Sequence, residues 1–227
     1  MLTFTIAVGA VMLRYIFLLF LCCVKPQSNG MTHQAYNRFR KTVLVSGIKT
    51  NGTVIGSGVA VQHEGKLYFI TARHVVISLA DKGIIDIQFC SVLNPDDCTT
   101  ASLGSSSTYF TASMDSDIIV FAVDELPAGI RPARMRCGVA VGETVYTSGA
   151  PLGRAPDITR GIVSFRDGNI IFSDNRTAPG NSGGPVFDTR GRVVAISIAI
   201  ERIPGESAIP SSSISIDVCR AIELINR

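Results

Sequence analysis

From Thr42 onward the apolar residues come in short runs of strand length. Each run stops at glycine, proline or a polar pair. The runs are T-V-L-V-S-G-I, T-V-I-G-S-G-V-A-V and K-L-Y-F-I-T-A, then I-I-D-I-Q-F-C and I-I-V-F-A-V. After residue 137 the style repeats with E-T-V-Y-T-S-G, G-I-V-S-F, N-I-I-F-S, G-P-V-F-D and R-V-V-A-I-S-I-A-I. Val, Ile, Thr and aromatic residues fit a pleated, half-buried surface, so these runs predict strands. H-E-G-K at 63–66 and T-R-G-R at 189–192 read as hairpin turns. Two stretches break the pattern. V-V-I-S-L-A-D after His74 lacks alternation and reads as a short helical turn. S-I-D-V-C-R-A-I-E-L-I-N-R, at the C-terminal end, carries apolar residues at helical spacing, with Ser215 or Asp217 as the candidate cap. Strands at this spacing predict an all-β sandwich or barrel. Residues 126–136, with two prolines and a glycine, are the candidate crossover between two halves.

Residues 1–24 are apolar except for Arg14 and a few small polar residues. About 20 apolar residues cross a bilayer. The segment reads first as a retained membrane anchor, which would place the rest of the chain on the cytoplasmic side by the positive-inside rule. The alternative is a signal peptide starting at Met12, whose removal would leave a secreted protein. Residues 25–41 read as a linker. The globular domain is then 42–227, which suits two β-barrels sharing one cleft.

Charge and cysteine usage narrow the partners. The formal net charge of +3 is small. Arg38, Arg40 and Lys41 read as a solvated arm, with acidic lipid or nucleic acid as the alternative contact. There is no basic patch interleaved with aromatics, so no nucleic-acid partner is expected. The six cysteines include no C-x-x-C and none at zinc spacing from a histidine, so neither metal nor cofactor is expected. Cys90 and Cys98 flank S-V-L-N-P-D-D, where a bridge across a hairpin and two free thiols are both open. N-G-T at Asn51 and N-R-T at Asn175 are glycosylation sequons, relevant only outside the cytoplasm.

The candidate chemistry lies in A-P-G-N-S-G-G-P-V, residues 178–186. A serine hydroxyl needs a base to take its proton and donors to hold the oxygen of a tetrahedral intermediate. Glycines around Ser182 would let a tight turn aim the N–H groups of Gly180 and Ser182 at one point. His74, in F-I-T-A-R-H-V-V, is the candidate base. His33 and His63 fall in the linker and in a turn. Asp117, in D-S-D-I-I-V-F-A-V, is the candidate orienting acid, preferred over Asp115 because it directly precedes the apolar run.

The order His, Asp, Ser is that of chymotrypsin-like proteases. With T-A-R-H-V-V, S-D-I-I-V-F, S-G-A-P-L-G, T-R-G-I-V-S, P-G-N-S-G-G-P-V-F and A-I-P-S in sequence, the chain resembles trypsin-like serine proteases of the HtrA type over roughly residues 42–225. The resemblance implies two six-stranded β-barrels, about 42–125 and 138–216, with a C-terminal helix; the chain stops there, so the PDZ domain that many HtrA proteins carry is expected to be absent. It implies a serine endopeptidase acting on polypeptide, with His74, Asp117 and Ser182 as the triad. Asn181 stands where trypsin-like zymogens carry an aspartate, and no I-V-G-G start occurs, which implies activity without zymogen clipping. The specificity pocket would be lined by Arg176, Thr177 and Ala178 and by Ile196, Ser197, Ile198 and Ala199. Arg176 at its floor would favour an acidic side chain before the cut bond; a small or aliphatic preference is the runner-up. A catalytically silent binding module and a viral polyprotein-processing protease of the same fold remain the alternative readings.

Overall fold

The computed structural model describes residues 32–47, 56–81, 83–103, 110–113, 116–153, 157–201 and 212–227. The compact domain runs from His33 to Arg227. It opens with helix α1 (His33–Phe39) and strands β1 (Thr42–Gly47), β2 (Gly56–His63) and β3 (Lys66–Ala72), followed by helix α2 (Arg73–Ala80). Strands β4 (Asp86–Ser91), β5 (Asn94–Ser102), β6 (Phe110–Ser113) and β7 (Ile118–Val123) complete the first half. The second half holds β8 (Thr144–Gly149), β9 (Asp157–Asp167), β10 (Ile170–Ser173), β11 (Pro185–Phe187), β12 (Val193–Glu201), β13 (Ser212–Asp217) and helix α3 (Cys219–Ile225).

The fold is all-β with a C-terminal helix, as expected. The second half closes as a six-stranded barrel in the order β10-β13-β12-β11-β8-β9. The first half is a seven-stranded antiparallel sheet, β5-β4-β1-β2-β3-β7-β6, with β5 and β6 as its outer strands. Neither of these two outer strands is expected from the pattern. β5, N-P-D-D-C-T-T-A-S, is polar and carries Pro95, which an edge strand tolerates because it need not donate on both sides.

Strand alternation explains how the two halves become one body. Ala60, Phe69, Ile119 and Phe121 point into the core of the first half, where Phe69 stacks on Phe89 at 4.3 Å between ring centroids. Their neighbours Val59, Val61, Tyr68, Ile70, Ile118 and Val120 point the other way. They join Phe187, Val193 and Ile196 of the barrel and Ala221 and Leu224 of α3 in a second core. Because β3 and β7 are buried on both faces over most of their length, they read in sequence as nearly continuous apolar runs. The barrel interior is a third, smaller cluster around Val145, Val163, Ile171 and Val186.

Residues 33–41 are not linker. They form α1 and the turn into β1, with Phe39 and Arg38 buried. A lone buried aromatic anchors the helix, and its short polar sequence hides this from periodicity. The arm reading fails for Arg38, which is only 7% exposed. Residues 1–31, including Cys22, Cys23 and the apolar segment, lie outside the described residues. So do Asn51, Asp115 and the A-I-P-S at 208–211. Among the described residues no helix is long and apolar enough to cross a membrane. Cys90 and Cys98 are cross-strand partners on β4 and β5 and form a disulfide. A second disulfide joins Cys137, after the crossover, to Cys219 at the start of α3.

Candidate active site

Strand register brings the acid to the base. β3 and β7 run antiparallel with Ala72 opposite Ile118. The residue leaving β3 and the residue entering β7 therefore meet at one end of the sheet. The Arg73 N–H extends this ladder by donating to Asp117 O at 2.9 Å. His74 follows on the first turn of α2. Asp117 Oδ1 accepts the His74 backbone N–H at 2.8 Å, and Asp117 Oδ2 lies 2.6 Å from His74 Nδ1. Asp117 adopts a φ of +49°, a left-handed conformation that Asp tolerates better than most residues. The pair is open to solvent, with side chains 46% and 31% exposed. A carboxylate on Nδ1 keeps the proton there, which leaves the Nε2 lone pair of the neutral ring free to accept a proton.

Ser182 is held mainly by backbone. Its carbonyl accepts the Ser57 N–H of β2 at 2.8 Å, and the next residue, Gly183, donates to Ser197 O of β12 at 2.7 Å. The turn thus ties both halves together. Gly180 and Gly183 have φ of +102° and +84°. A Cβ on Gly183 would run into Ser57 O, Thr71 Oγ1 and Ala72 N, so only glycine fits. The Ser182 hydroxyl donates a long hydrogen bond to Ile198 O at 3.4 Å, too weak to hold the rotamer.

The Pro179–Gly180 peptide has a defined direction. Pro179 O accepts the Leu152 N–H at 2.7 Å, from the 3-10 turn Pro151–Gly153. In a trans peptide the C=O and N–H point opposite ways, so the Gly180 N–H points away from Leu152. Gly180 O is taken by the Ser57 hydroxyl at 2.7 Å. The N–H groups of Asn181, Gly183 and Gly184 donate to Ala178, Ser197 and Asn181 carbonyls. Among the described residues, the N–H groups of Gly180 and Ser182 have no protein acceptor. Two free donors beside a serine can hold a developing oxyanion.

The residues expected to line the pocket separate into groups. Arg176 is 82% exposed at its side chain and only approaches Asp157, at 3.7 Å. It is in solvent, not at a pocket floor, because Asn175 and Thr177 on either side point inward. Thr177 is buried, and its hydroxyl accepts from Asn181 Nδ2 at 3.1 Å. Ile196 is fully buried in the core between the halves and so cannot line a pocket. Ser197 is buried and spends both backbone groups on the nucleophile turn. Ala178 and Ile198 are partly exposed, and Ile198 packs against both neighbouring cores. The Ala199 side chain lies outside the described residues. Asn175 is also buried, with its amide donating to Thr159 O at 3.0 Å, so this sequon is closed to a glycan in the folded domain. Ser57 and Leu152 are not singled out in sequence: Ser57 contributes its backbone N–H and its hydroxyl, and Leu152, within S-G-A-P-L-G, contributes its backbone N–H.

The family model for the trypsin-like peptidase domain matches residues 56–196. The chain belongs to this family. Its relatives place the peptidase domain with the HtrA type. It is 31% identical over 182 residues to a protein of Hahella chejuensis named probable periplasmic serine endoprotease DegP-like, covering 76% of this chain and 35% of that protein. It is also 31% identical over 180 residues to the serine protease Do-like HtrA of Bacillus subtilis, covering 70% and 37% respectively. The chain thus spans about a third of the length of these relatives. Among solved structures, the HtrA-type protease AlgW with tripeptide superposes with a TM-score of 0.64 at 23% identity, covering 86% of this chain and 63% of that one. The MamO protease domain of Magnetospirillum magneticum superposes at 0.61 and 17% identity, covering 82% and 96%. At these identities the structural likeness concerns the fold.

Proposed function

We propose that the peptidase domain is a serine endopeptidase that cuts polypeptide through an acyl-enzyme. The observation that carries this reading is the Asp117 carboxylate gripping His74 at both its backbone N–H and Nδ1. Ser182 Oγ attacks the scissile carbonyl carbon while His74 Nε2 takes the hydroxyl proton. The carbonyl oxygen, now negative, is received by the N–H groups of Gly180 and Ser182. The imidazolium, steadied by Asp117, then gives its proton to the leaving amine as the C–N bond breaks. Water repeats the sequence on the ester and frees Ser182.

Activation by chain clipping is unnecessary in this scheme. Asn181 is neutral and buried, and its amide is anchored locally on Thr177, so no new amino terminus is required to pair with it. Ala178 and Ile198, the latter with its carbonyl 3.4 Å from the Ser182 hydroxyl, offer small and aliphatic partly exposed surface near Ser182, which supports a preference for small or aliphatic side chains before the cut bond. Residues 1–24 would tether the domain to a membrane, or send it outward if removed. The periplasmic names of its relatives are in keeping with an envelope or secreted location.

The test is active-site labelling of the full chain with a fluorophosphonate. Label should appear on Ser182 alone, and Ser182→Ala should abolish it with thermal unfolding unchanged. Label that persists on another serine in Ser182→Ala would overturn the assignment.

A further inference from the structure

α1 and the 189–191 turn enclose a cleft of about 470 Å³ that the peptidase chemistry does not use. Gln34, Asn37, Arg38 and Lys41 reach it from one face of α1 and its exit, at helical spacing. Arg131 reaches it from the crossover and Arg190 from the turn. Among the described residues four cations line it, and no carboxylate does. Arg136, Arg166, Arg176, Arg192 and Arg220 each pair with an Asp or Glu. Among the described residues, none of Arg38, Lys41, Arg131 and Arg190 has an ion-pair partner. The nearby Asp188 carboxylate is already engaged by Arg136, by Arg192 and by the N–H groups of Arg190 and Arg192.

Arg38 is the unusual member. It is more than nine-tenths buried, its guanidinium lies over the Tyr146 ring at 4.2 Å, and Nη2 donates to Thr189 O at 3.0 Å. Its Nε is buried with no hydrogen-bond partner. A buried charged donor left unpaired is costly, and an anion in the cleft that Arg38 lines would offset its charge. Lys41 donates one proton to Gly191 O at 3.1 Å and keeps others for a ligand. Burial first, and then repulsion from Arg38, holds its ammonium below the usual lysine range, with Asp188 opposing. Cations brought this close, beside a single carboxylate already engaged by Arg136 and Arg192, leave a net positive field that suits an anion.

We propose that this cleft binds a multivalent phosphate group, as a free polyphosphate or as a lipid phosphomonoester headgroup. Guanidinium forks and an ammonium suit the tetrahedral array of phosphate oxygens. The volume exceeds one phosphate, so the ligand carries more than one anionic centre or a polar body beside it. Among the described residues no aromatic side chain lines the cleft to stack a nucleobase. A lipid source is natural in this chain because the apolar residues 1–24 end shortly before α1 in sequence.

The test uses the full chain in detergent micelles, titrated calorimetrically with inorganic tripolyphosphate, and vesicles of phosphatidylcholine with and without phosphatidic acid. Arg131→Gln/Arg190→Gln and Lys41→Gln change exposed or half-exposed side chains and leave the fold intact, which thermal unfolding checks. Lys66→Gln, at the hairpin, removes one charge elsewhere, as Lys41→Gln does in the cleft. One-to-one tripolyphosphate binding, weakened roughly tenfold or more in the cleft variants and unchanged in Lys66→Gln, is expected, since one charge-assisted hydrogen bond is worth that much. If phosphatidic acid adds affinity that tripolyphosphate competes away, the ligand is a lipid headgroup. If only tripolyphosphate binds, it is a free phosphate compound. Absence of both effects, or equal binding in the cleft variants and wild type, would overturn the proposal.

Discussion

His74 stands on the first turn of α2 with nearly half its side chain in water, steered by one carboxylate. Ser182 stands in a turn whose flanking Asn181, Gly183 and Gly184 are buried and whose backbone is bonded to β2 and β12. The His74 side is made of side chains at a sheet end. The Ser182 side is made of main chain packed between the two halves. The difference predicts how each fails. A change on the His74 side should reach turnover and spare the fold, whereas a change in the turn should reach the fold first.

The largest effect on rate should come from Asp117→Asn. Asn keeps an acceptor for the His74 backbone N–H and tolerates the same left-handed φ, so unfolding should be unchanged. The amide no longer selects the imidazole tautomer with its lone pair on Nε2, and kcat should fall by about four orders of magnitude. Peptidase assay and thermal unfolding measured together check both halves of this statement. A large loss of stability, with rate loss only in proportion to unfolded protein, would erase the contrast between the two sides.

Gly183→Ala probes the other side. The added methyl meets Ser57 O, Thr71 Oγ1 and Ala72 N, and φ must stay near +84°. Left-handed strain and overpacking together should cost about 2–5 kcal/mol. Denaturant unfolding should show this loss, and fluorophosphonate labelling should fall with it. Labelling abolished in a domain of unchanged stability would mean that the turn, too, can be altered without touching the fold.

How far these features could be read in advance depended on where the physics resides. Strands β3 and β7 were legible because burial on both faces leaves nearly unbroken apolar runs. The edge strands β5 and β6 were not, because an outer strand needs no apolar alternation to pair. His74, Asp117 and Ser182 stand out through motif and order, while Ser57 and Leu152 act through N–H, carbonyl and a short hydroxyl contact that any residue context can hide. The arginines show the limit most directly. Arg38 reads as a solvated arm and is buried against Tyr146, and Arg176 reads as a pocket cation and lies in solvent. Exposure of a long cationic side chain is decided by which distant segment packs beside it.

Asp188 sharpens the comparison through pH. It closes the turn after β11 by accepting from Arg190 and Arg192 backbone N–H groups and from the Arg136 and Arg192 guanidinium groups. Burial pushes its carboxyl up, but the hydrogen bonds and charge of Arg192 outweigh this and hold it below the usual range. A carboxyl with a depressed folded-state pKa contributes stability that is complete above its unfolded value, about 4, and is lost as pH falls through the lower folded value. Asp188→Asn should therefore cost about 1.5–3 kcal/mol at neutral pH. The gap to wild type should narrow below about pH 4. A gap independent of pH would assign the loss to packing instead of charge.

The smallest effect should come from Arg176→Ala, the substitution nearest the nucleophile turn in sequence among the cations. Position alone suggests a floor for an acidic substrate side chain. The guanidinium is instead 82% exposed and 3.7 Å from Asp157, beyond a good hydrogen bond. An ion pair so exposed is worth about 0–1 kcal/mol. What holds the segment here is inward: Thr177 bonds Asn181, and the Arg176 carbonyl accepts the Thr159 hydroxyl at 2.8 Å, a contact that alanine keeps. Stability should then change by less than about 1 kcal/mol, and a peptide-library cleavage profile should keep its preference for small or aliphatic residues before the cut bond. A profile rich in Glu or Asp that disappears in Arg176→Ala would show that substrate draws this side chain out of solvent and into the cleft, and the Ser182 side would then depend on a mobile charge as much as the His74 side does.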